Sequence, residues 1–325
     1  MGQFSPKINI SFSLIIAFFR DICILIIVQN EHYPSIIFHD GEKYFHDGFQ
    51  RCPFPSIKDA PTKYLSVIIP AYNEEERLPV MLDECIPYLE DRRKSSQGFD
   101  YELIIVDDGS RDKTTDVGMQ YTKEYGSDRV RVLTLAKNRG KGGAVRMGML
   151  SSRGKLLLFA DADGATKFSD FEKVEGSLKE LCSGMSDISE SLGMSIGSRA
   201  HLEKDSVAHR SFFRTILMYG FHAMVWLLAV KEIKDTQCGF KIFTRRTGRI
   251  IFNSLHVERW AFDTEVLKIA QILGIPIKEV AVHWTEIEGS KITPVFTWIE
   301  MGMDLVLIWL RYFLGAWRIS GDINK

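Results

Sequence analysis

The chain has 325 residues, of which 45% are hydrophobic and 26% are charged, with a formal net charge of -1. This composition supplies an ample core and excludes a chain that is disordered as a whole. The near-neutral balance gives no global basic field for duplex nucleic acid, so no nucleic-acid partner is expected. The five cysteines show no metal-ligand spacing, and their odd number argues against a disulfide framework and for a reducing compartment.

The N-terminal part of the sequence divides into two segments. Residues 8–28 are apolar and long enough to cross a bilayer, although Arg20 and Asp21 interrupt them and leave full insertion open. A signal peptide or an interfacial helix is the alternative, but no small-residue cleavage site follows, which favours a membrane anchor within residues 1–30. Residues 31–63 are polar without a sustained period and predict a tether.

Residues 64–325 are interpreted as one domain in which strand and helix patterns alternate. The patterns predict strands over residues 65–69, 103–106, 130–135, 156–160 and 194–197, and helices over residues 74–90, 113–125 and 143–152. Strict alternation implies right-handed crossovers, and so an α/β fold whose mostly parallel sheet is flanked by helices. Residues 183–193 are rich in serine and glycine and predict an exposed loop.

Acidic residues follow successive apolar runs of this pattern. Asp107 and Asp108 end one predicted strand, and Asp161 and Asp163 follow another. In an open α/β sheet the ligand lies beyond the carboxyl ends of the strands, which predicts one shared polar site. Turn chemistry explains either pair alone, but two carboxylates one residue apart also suit Mg²⁺ or Mn²⁺ with a diphosphate.

The segment KNRGKGG at residues 137–143 links a predicted strand to a helix. Its cations, Lys137 and Lys141 among them, and its glycines, including Gly140 and Gly142, suit a diphosphate contact at a helix N-terminus. Dinucleotide binding by a nicotinamide oxidoreductase is the alternative from another class. The segment lacks the third glycine of that fingerprint, and Val145 stands there instead.

The chain from residue 65 to about residue 317 resembles the family 2 glycosyltransferases, which have the GT-A nucleotide-sugar-binding fold. The resemblance is carried, in this order, by VIIPAYNEEERLPVML, VDDGSRDKT, KNRGKGGAVRMG, ADADGATKF, GSRAHLEKDSVAHRSFFR, DTQCGFKIF, VERWAFDTEVL and WTEIEGSKI. The first four segments support a nucleotide-sugar transferase in general. The later ones, RWAFD and EIEGSK above all, favour a narrower group that uses a polyprenyl phosphate.

The resemblance implies roles for several of these residues on the donor side. It places Pro70, Tyr72, Glu74 and Asp107 against the uridine nucleotide, with Asp161 and Asp163 on ribose, metal and diphosphate. Related mannosyltransferases commonly have a glutamine two residues after the second aspartate, where this chain has Ala165. Thr166 or water would then complete the metal shell.

On the acceptor side the resemblance implies a basic phosphate site and nearby carboxylates. Residues of this group are Arg199, Arg210, Arg214, Gln237 and Lys241, with Asp235 and Asp263 as the carboxylates expected near the sugar. Arg210 and Arg214 share one helix face, and guanidinium groups grip phosphate oxygens bidentately, although a solvated basic face is the alternative. Arg199, Asp235 and Asp263 are therefore the predicted catalytic residues.

The implied reaction is inverting transfer of glucose from UDP-glucose to dolichyl phosphate, as a lipid-linked donor for protein N-glycosylation. The implied setting is the endoplasmic reticulum membrane, with a single N-terminal anchor and the catalytic domain facing the cytosol. Apolar residues 212–230 and 296–317 suit interfacial helices near membrane lipid, and core packing or a subunit contact is the alternative. Another polyprenyl-phosphate hexosyltransferase, such as a mannosyltransferase, and a non-catalytic nucleotide-sugar-binding scaffold also remain open. Oligomeric state is left undetermined.

Overall fold

The computed structural model describes residues 34–202, 233–287 and 294–319. Strands are β1 (Tyr44–His46), β2 (Arg51–Pro53), β3 (Lys63–Ala71), β4 (Tyr101–Asp107), β5 (Val130–Thr134), β6 (Gly154–Ala160), β7 (Met194–Ser198), β8 (Phe240–Thr244) and β9 (Ile277–Ala281). Helices are α1 (Leu78–Ser95), α2 (Thr114–Tyr125), α3 (Lys141–Leu150), α4 (Phe171–Leu181), α5 (Arg245–Ser254), α6 (Phe262–Ile272) and α7 (Pro294–Phe313), and short 3-10 turns cover Asp40–Lys43, Phe168–Asp170 and Ile188–Glu190.

Within the described residues, the central sheet has seven strands in the order β5-β4-β3-β6-β8-β7-β9. All neighbours pair in parallel except β8, which runs antiparallel to β6 and to β7. The predicted mostly parallel sheet is thus confirmed, and so is the alternation of strands and helices up to β7. Because β8 is reversed, it begins at the edge of the sheet where the parallel strands end. The residues that precede β8 therefore lie at that edge.

Helices cover both faces of this sheet, which is why its strands are apolar almost throughout. Successive residues of β3 point to opposite faces: Ile68 joins the cluster with α3, α5 and α6, whereas Val67 and Ile69 join the cluster with α1 and α4. Both sets are fully buried. The three-layer arrangement leaves the carboxyl ends of the parallel strands as the place where polar side chains gather.

Strand register brings the predicted acidic ends together. Ala71 at the end of β3 pairs with Asp107 at the end of β4, and Ile68 pairs with Phe159 near the end of β6. Phe240, the first residue of β8, pairs with Ala160, which directly precedes Asp161. The DTQCGF segment before β8 therefore reaches the same edge as the strands that carry the aspartates.

The prediction that residues 31–63 form a tether is wrong for their described part, residues 34–63. Strands β1 and β2 form a hairpin, and the Arg131 guanidinium lies 5.2 Å from the Phe45 ring and 5.3 Å from the Phe54 ring. Ile57 is buried, and its backbone N–H donates to the Leu150 carbonyl at 2.8 Å. The sequence shows no period here because individual side-chain contacts, and not a repeated apolar face, hold the segment on the domain.

The predicted anchor, residues 8–28, and the apolar residues 212–230 lie outside the described residues. Within the described ranges, no helix combines the length and apolarity needed to cross a bilayer. The C-terminal apolar segment does form a helix, α7, in which Leu305 and Ile308 are buried while Met303 and Phe313 are exposed. Its predicted interfacial position stays a prediction.

Gly148 determines how closely α3 approaches the sheet. A Cβ on Gly148 would lie 2.5 Å from Ile68 Cγ2 and 2.8 Å from Val106 Cγ2, both in buried strands. We expect Gly148→Ala to lower the free energy of unfolding by about 1–3 kcal/mol, because overpacking displaces α3. The measurement is thermal or denaturant unfolding of the two proteins side by side.

Gly176→Ala is the matched control, since Gly176 lies within α4 and a Cβ there would meet no atom within 4 Å. Alanine in an open helical position should raise the free energy of unfolding by about 0.5–1 kcal/mol. Equal effects of the two substitutions would contradict the close packing of α3 on β3 and β4.

Candidate functional site

The turn after β3 and the turn after β4 are joined into one wall of the site. Asn73, at a positive φ of 54°, donates its backbone N–H to the Ser110 hydroxyl at 2.9 Å and accepts from the Arg111 N–H at 2.8 Å. Pro70, Tyr72 and Glu74 are half-buried along this wall. The structure thus places the predicted nucleotide-side residues beside the end of β4, as the sequence predicted.

Asp107 and Asp108 are buried and hold loops. Asp107 accepts from the Ser110 N–H at 2.8 Å and from the Thr115 hydroxyl, which closes the turn that follows β4. Asp108 accepts from the Arg139 and Gly140 N–H groups at 2.7 and 2.8 Å. Desolvation raises the pKa of Asp108 to about 7, although both N–H donors oppose that shift. Asp108 therefore fastens the neighbouring loop, a role that the sequence did not indicate.

The KNRGKGG segment leads from β5 into α3, and its glycines allow it to pack against residues 258–262. A Cβ on Gly142 would lie 2.5 Å from Phe262 Cβ, and one on Gly140 would lie 2.8 Å from the Glu258 carbonyl oxygen. Lys137 is exposed at the start of the segment. These glycines thus allow the close approach of a neighbouring loop, and the predicted diphosphate contact of the segment stays a prediction.

Lys141, the first residue of α3, meets the aspartate pair after β6. Its Nζ lies 2.6 Å from Asp161 Oδ1. Burial lowers the pKa of Lys141, but the negative charges of Asp161 and Asp263 outweigh burial and leave it above the usual value. The lysine is therefore a fixed cation beside the first aspartate.

Asp163 has a different environment. Its Oδ1 accepts from the Ala165 N–H at 3.0 Å. Burial, followed by repulsion from Asp161, raises the pKa of Asp163. Two carboxylates that repel each other at the end of a strand favour an added cation.

The donor set fits a divalent ion of the Mg²⁺ or Mn²⁺ class, which one or two carboxylates and substrate phosphates commonly hold. Asp161 and Asp163 supply hard oxygen ligands, and the Lys141 ammonium already compensates Asp161. Among the described residues, no group of three or more His, Cys, Asp and Glu side chains gathers for a metal. Other oxygen donors, such as a bound phosphate, water or the Thr166 hydroxyl, would supply the remaining ligands of such an ion.

Asp263 and Lys241 form a buried ion pair beneath the site. Lys241 Nζ donates to Asp263 Oδ1 and to the Cys238 carbonyl oxygen, at 2.6 Å in each case. Both side chains are buried, and burial raises the pKa of Asp263 despite the two lysines near it. The structure thus does not place Lys241 or Asp263 on an open surface. Lys241 as a phosphate contact and Asp263 as a sugar contact do not fit this arrangement.

Arg199 and Asp235 form the polar group on the β7 side of the site. Arg199 Nε and Nη2 donate to the two Asp235 carboxylate oxygens at 2.7 and 2.9 Å, and the Arg199 guanidinium lies 5.4 Å from the Trp284 ring. Burial would raise the pKa of Asp235, but Arg199 holds it below its usual value. Asp235 orients Arg199 and is poorly placed to accept a proton.

Glu279 of β9 fixes this pair by accepting the Asp235 N–H at 2.9 Å. Gln237 is half-buried next to it, with its N–H directed at Asp235 Oδ1 at 3.2 Å. Arg210 and Arg214, the other predicted phosphate ligands, lie outside the described residues.

Sequence reasoning missed several residues at this edge. Arg77 Nε and Nη2 donate to the two Glu74 carboxylate oxygens at 2.6 Å each, and Asp163 and Asp161 add to the negative field at Arg77. The spacing of Glu74 and Arg77 by three residues was a usable signal. No sequence signal indicated the role of Gly239. Its carbonyl accepts the Asp161 N–H at 3.1 Å, and a Cβ on Gly239 would overlap the Asp161 carboxylate.

The chain is similar in sequence to proteins of one family. The model of glycosyl transferase family 2 matches residues 66–189. A dolichyl-phosphate beta-glucosyltransferase of Drosophila melanogaster is 57% identical over 94% of this chain and 93% of its own length. Proteins of the same name from Homo sapiens and Saccharomyces cerevisiae are 58% and 39% identical, over 88% and 95% of each chain.

Among solved structures, glucosyl-3-phosphoglycerate synthase from Mycobacterium tuberculosis in complex with Mn²⁺ and UDP-glucose has a TM-score of 0.51. The match covers 80% of this chain and 82% of that chain at 18% sequence identity. At this identity the likeness concerns the fold, and it supports a GT-A-like arrangement of sheet and helices.

The raised pKa of Asp108 predicts a pH dependence of stability. Between the unfolded value near 3.9 and the folded value of about 7, the native protein retains a proton that the unfolded chain has lost. This contribution is full below about pH 4 and is lost as pH rises through 7. Relative to Asp108→Asn, the wild type should lose at most about 4 kcal/mol of unfolding free energy between pH 4 and pH 8. Parallel pH profiles of the two proteins, measured by denaturant unfolding, would contradict the burial of this carboxyl group.

Proposed function

Because this chain belongs to the dolichyl-phosphate β-glucosyltransferases of glycosyl transferase family 2, we propose that it transfers glucose from UDP-glucose to dolichyl phosphate. The products are dolichyl β-D-glucosyl phosphate, a lipid-linked glucose donor for protein N-glycosylation, and UDP. The observation that carries this proposal is 57% identity with the Drosophila enzyme of that name over 94% of the chain. The site geometry supports it on both sides of the reaction.

On the donor side, the wall formed by Pro70, Tyr72 and Glu74 offers a half-buried surface for the uridine nucleotide. Lys141 stands next to Asp161 and supplies positive charge where the diphosphate would lie. Arg77 adds a second fixed cation near the aspartate pair. Cations held in place before the substrate arrives stabilise the charge that develops on the leaving UDP, since they need no reorganisation during the reaction.

Asp161 and Asp163 would hold a Mg²⁺ or Mn²⁺ ion, which supplies Lewis-acid stabilisation of the departing diphosphate when it is bound. The buried pair of Lys241 and Asp263 lies beneath these aspartates and acts on the donor site through Lys141. The Asp263 charge sustains the protonated state of Lys141, and Lys141 in turn contacts Asp161. Asp263 is therefore proposed to support the donor site through Lys141 and not to contact the sugar.

On the acceptor side, an oxygen of dolichyl phosphate attacks the anomeric carbon of glucose opposite the leaving group. The new carbon–oxygen bond forms as the bond to the UDP β-phosphate breaks, so the configuration inverts and UDP leaves with the electron pair. A phosphate monoester has a second pKa of about 6 and is ionised near neutral pH, so no strong general base is required. Arg199, held by Asp235, is placed to orient this anion, and its planar guanidinium suits phosphate oxygens.

The lipid acceptor requires the site to stand near a bilayer. Met303, Val306 and Phe313 give α7 an exposed apolar side, which supports an interfacial position for this helix. We place the protein in the endoplasmic reticulum membrane, with an anchor in residues 1–30 and the catalytic domain in the cytosol, where UDP-glucose would reach it.

The first prediction from this function concerns product and metal. Membranes that contain the protein, incubated with radiolabelled UDP-glucose and dolichyl phosphate, should yield label in the lipid extract, and a chelator should abolish it. GDP-mannose should give no labelled lipid above background. Asp163→Asn should lower turnover by at least about a hundredfold and remove metal-dependent UDP binding, because one of two carboxylate ligands is lost.

Asp91→Asn serves as the control for Asp163, since the Asp91 side chain is 83% exposed on α1 and pairs only loosely with Lys94 at 3.9 Å. It should retain wild-type turnover. Label confined to the water-soluble fraction would count against a lipid acceptor, and wild-type turnover in Asp163→Asn would refute the assignment of the aspartate pair.

The second prediction concerns the acceptor. Arg199→Lys keeps the charge but loses the bidentate contact with Asp235, so it should raise KM for dolichyl phosphate about tenfold while UDP still binds normally. The matched control is Arg249→Lys, because the Arg249 guanidinium lies on the surface of α5, 3.6 Å from Glu190. An equal rise in KM for UDP-glucose would show that Arg199 does not act on the acceptor side. Steady-state kinetics with each substrate varied in turn provides the measurement.

A further inference from the structure

Glu42 is a buried carboxylate in the segment that precedes the sheet. Its side chain has no exposed surface, and it lies in the short 3-10 turn Asp40–Lys43. Its Oε1 accepts the Ala136 N–H at 3.0 Å, and its Oε2 accepts the His39 N–H at 2.9 Å. Arg139 Nη2 lies 2.6 Å from Oε2 and completes an ion pair. A charge buried in this way is stable only with such partners.

The partners of Glu42 belong to the loop that enters the donor site. Ala136 and Arg139 lie between β5 and α3, and the Arg139 side chain is only 7% exposed. Glu42 holds this loop on one side, while Asp108 accepts the Arg139 and Gly140 N–H groups on the other. Two buried carboxylates from different parts of the chain therefore fix residues 136–140 immediately before Lys141.

We propose that Glu42 is a positioning residue for the donor site, acting through Arg139 and the loop at residues 136–140 to set Lys141 against Asp161. This inference rests on the proposed function, because the ligand that Lys141 and Asp161 would meet is the diphosphate of UDP-glucose. Glu42 touches no reacting group. It acts by fixing the position of Lys141, whose Nζ lies 2.6 Å from Asp161 Oδ1.

Loss of the Glu42 contact should affect the binding of UDP-glucose and not that of dolichyl phosphate. The loop follows β5 at one end of the strand order, whereas Arg199 follows β7 near the other end. Between them lie β4, β3, β6 and β8. Loosening the loop should therefore weaken UDP-glucose binding without moving the pair of Arg199 and Asp235.

Contacts that do not involve Glu42 hold the rest of the segment in place. Arg245 Nη2 donates to the Ser56 and Asp59 carbonyl oxygens at 3.1 and 2.9 Å, and the Ile57 N–H donates to the Leu150 carbonyl. Arg131 packs between Phe45 and Phe54. Replacing Glu42 by its neutral isostere is thus expected to leave the domain folded and the hairpin attached.

The test uses the full chain in detergent or nanodiscs, with Glu42→Gln, Arg139→Met and the double variant. Asp40→Asn is the matched control, because Asp40 lies in the same turn with a side chain that is 98% exposed. The readouts are KM for each substrate, kcat, thermal unfolding, and amide hydrogen exchange of peptides that cover residues 134–143. The exchange readout requires no enzymatic activity.

Each single variant should raise KM for UDP-glucose about tenfold, the scale of one lost charged hydrogen bond, and leave KM for dolichyl phosphate within about twofold. Amides at residues 136–140 should exchange at least about tenfold faster. The double variant should be no worse than about twofold beyond the more severe single variant, because the ion pair between Glu42 and Arg139 is already lost in each single variant. Asp40→Asn should behave as wild type.

Unchanged exchange at residues 136–140 would overturn the proposal, and so would faster exchange with an unchanged KM for UDP-glucose. Equal rises in both KM values, or a uniform loss of active protein, would show a general structural role and would overturn it as well. If the wild type transfers no glucose, the proposed function fails. Exchange at the loop then still decides whether Glu42 fixes it.

Discussion

Acidic side chains meet at one edge of a buried sheet, and the rest of this structure depends on basic residues that neutralise their charge. Parallel strands bring their carboxyl ends together, so carboxylates from separate motifs face each other in a poorly hydrated place. Lys141 compensates Asp161, Lys241 compensates Asp263, and Arg199 compensates Asp235. For the buried pair of Lys241 and Asp263, removing one member leaves an uncompensated charge at a cost of about 3–5 kcal/mol. The same pairs that permit folding therefore also fix the electrostatic field that a substrate would meet.

The single reversed strand explains how donor and acceptor chemistry share this edge. Strand β8 runs against its neighbours, so the turn before it, and not the turn after it, reaches the ends of β6 and β7. That turn carries Asp235, which orients Arg199 at the end of β7. An all-parallel sheet would have put the DTQCGF segment at the opposite edge. Reversal thus places the pair of Arg199 and Asp235 at the same edge as the aspartates that follow β6.

Much of the fold was predictable from the sequence, because long apolar runs with sharp acidic ends specify buried parallel strands. The placement of Asp161 and Asp163 near the ends of β3 and β4 followed from that reasoning. Pair contacts between distant segments left no local pattern: Glu42 looked like part of a polar tether, and Lys241 looked like an accessible cation although Asp263 buries it. Charge alone does not indicate whether a side chain meets solvent or a partner. The register of β8, which decides this for Lys241, is set by tertiary pairing.

Gly239 joins two motifs that are far apart in the sequence. Its backbone lies so close to the Asp161 carboxylate that any side chain at this position would occupy the aspartate's own volume. Asp161 would relieve this overlap only by turning its carboxylate away from its place beside Lys141. The ADADG and DTQCGF segments therefore constrain each other's packing. A chimera that brings a side chain to position 239 would displace the carboxylate that Lys141 contacts.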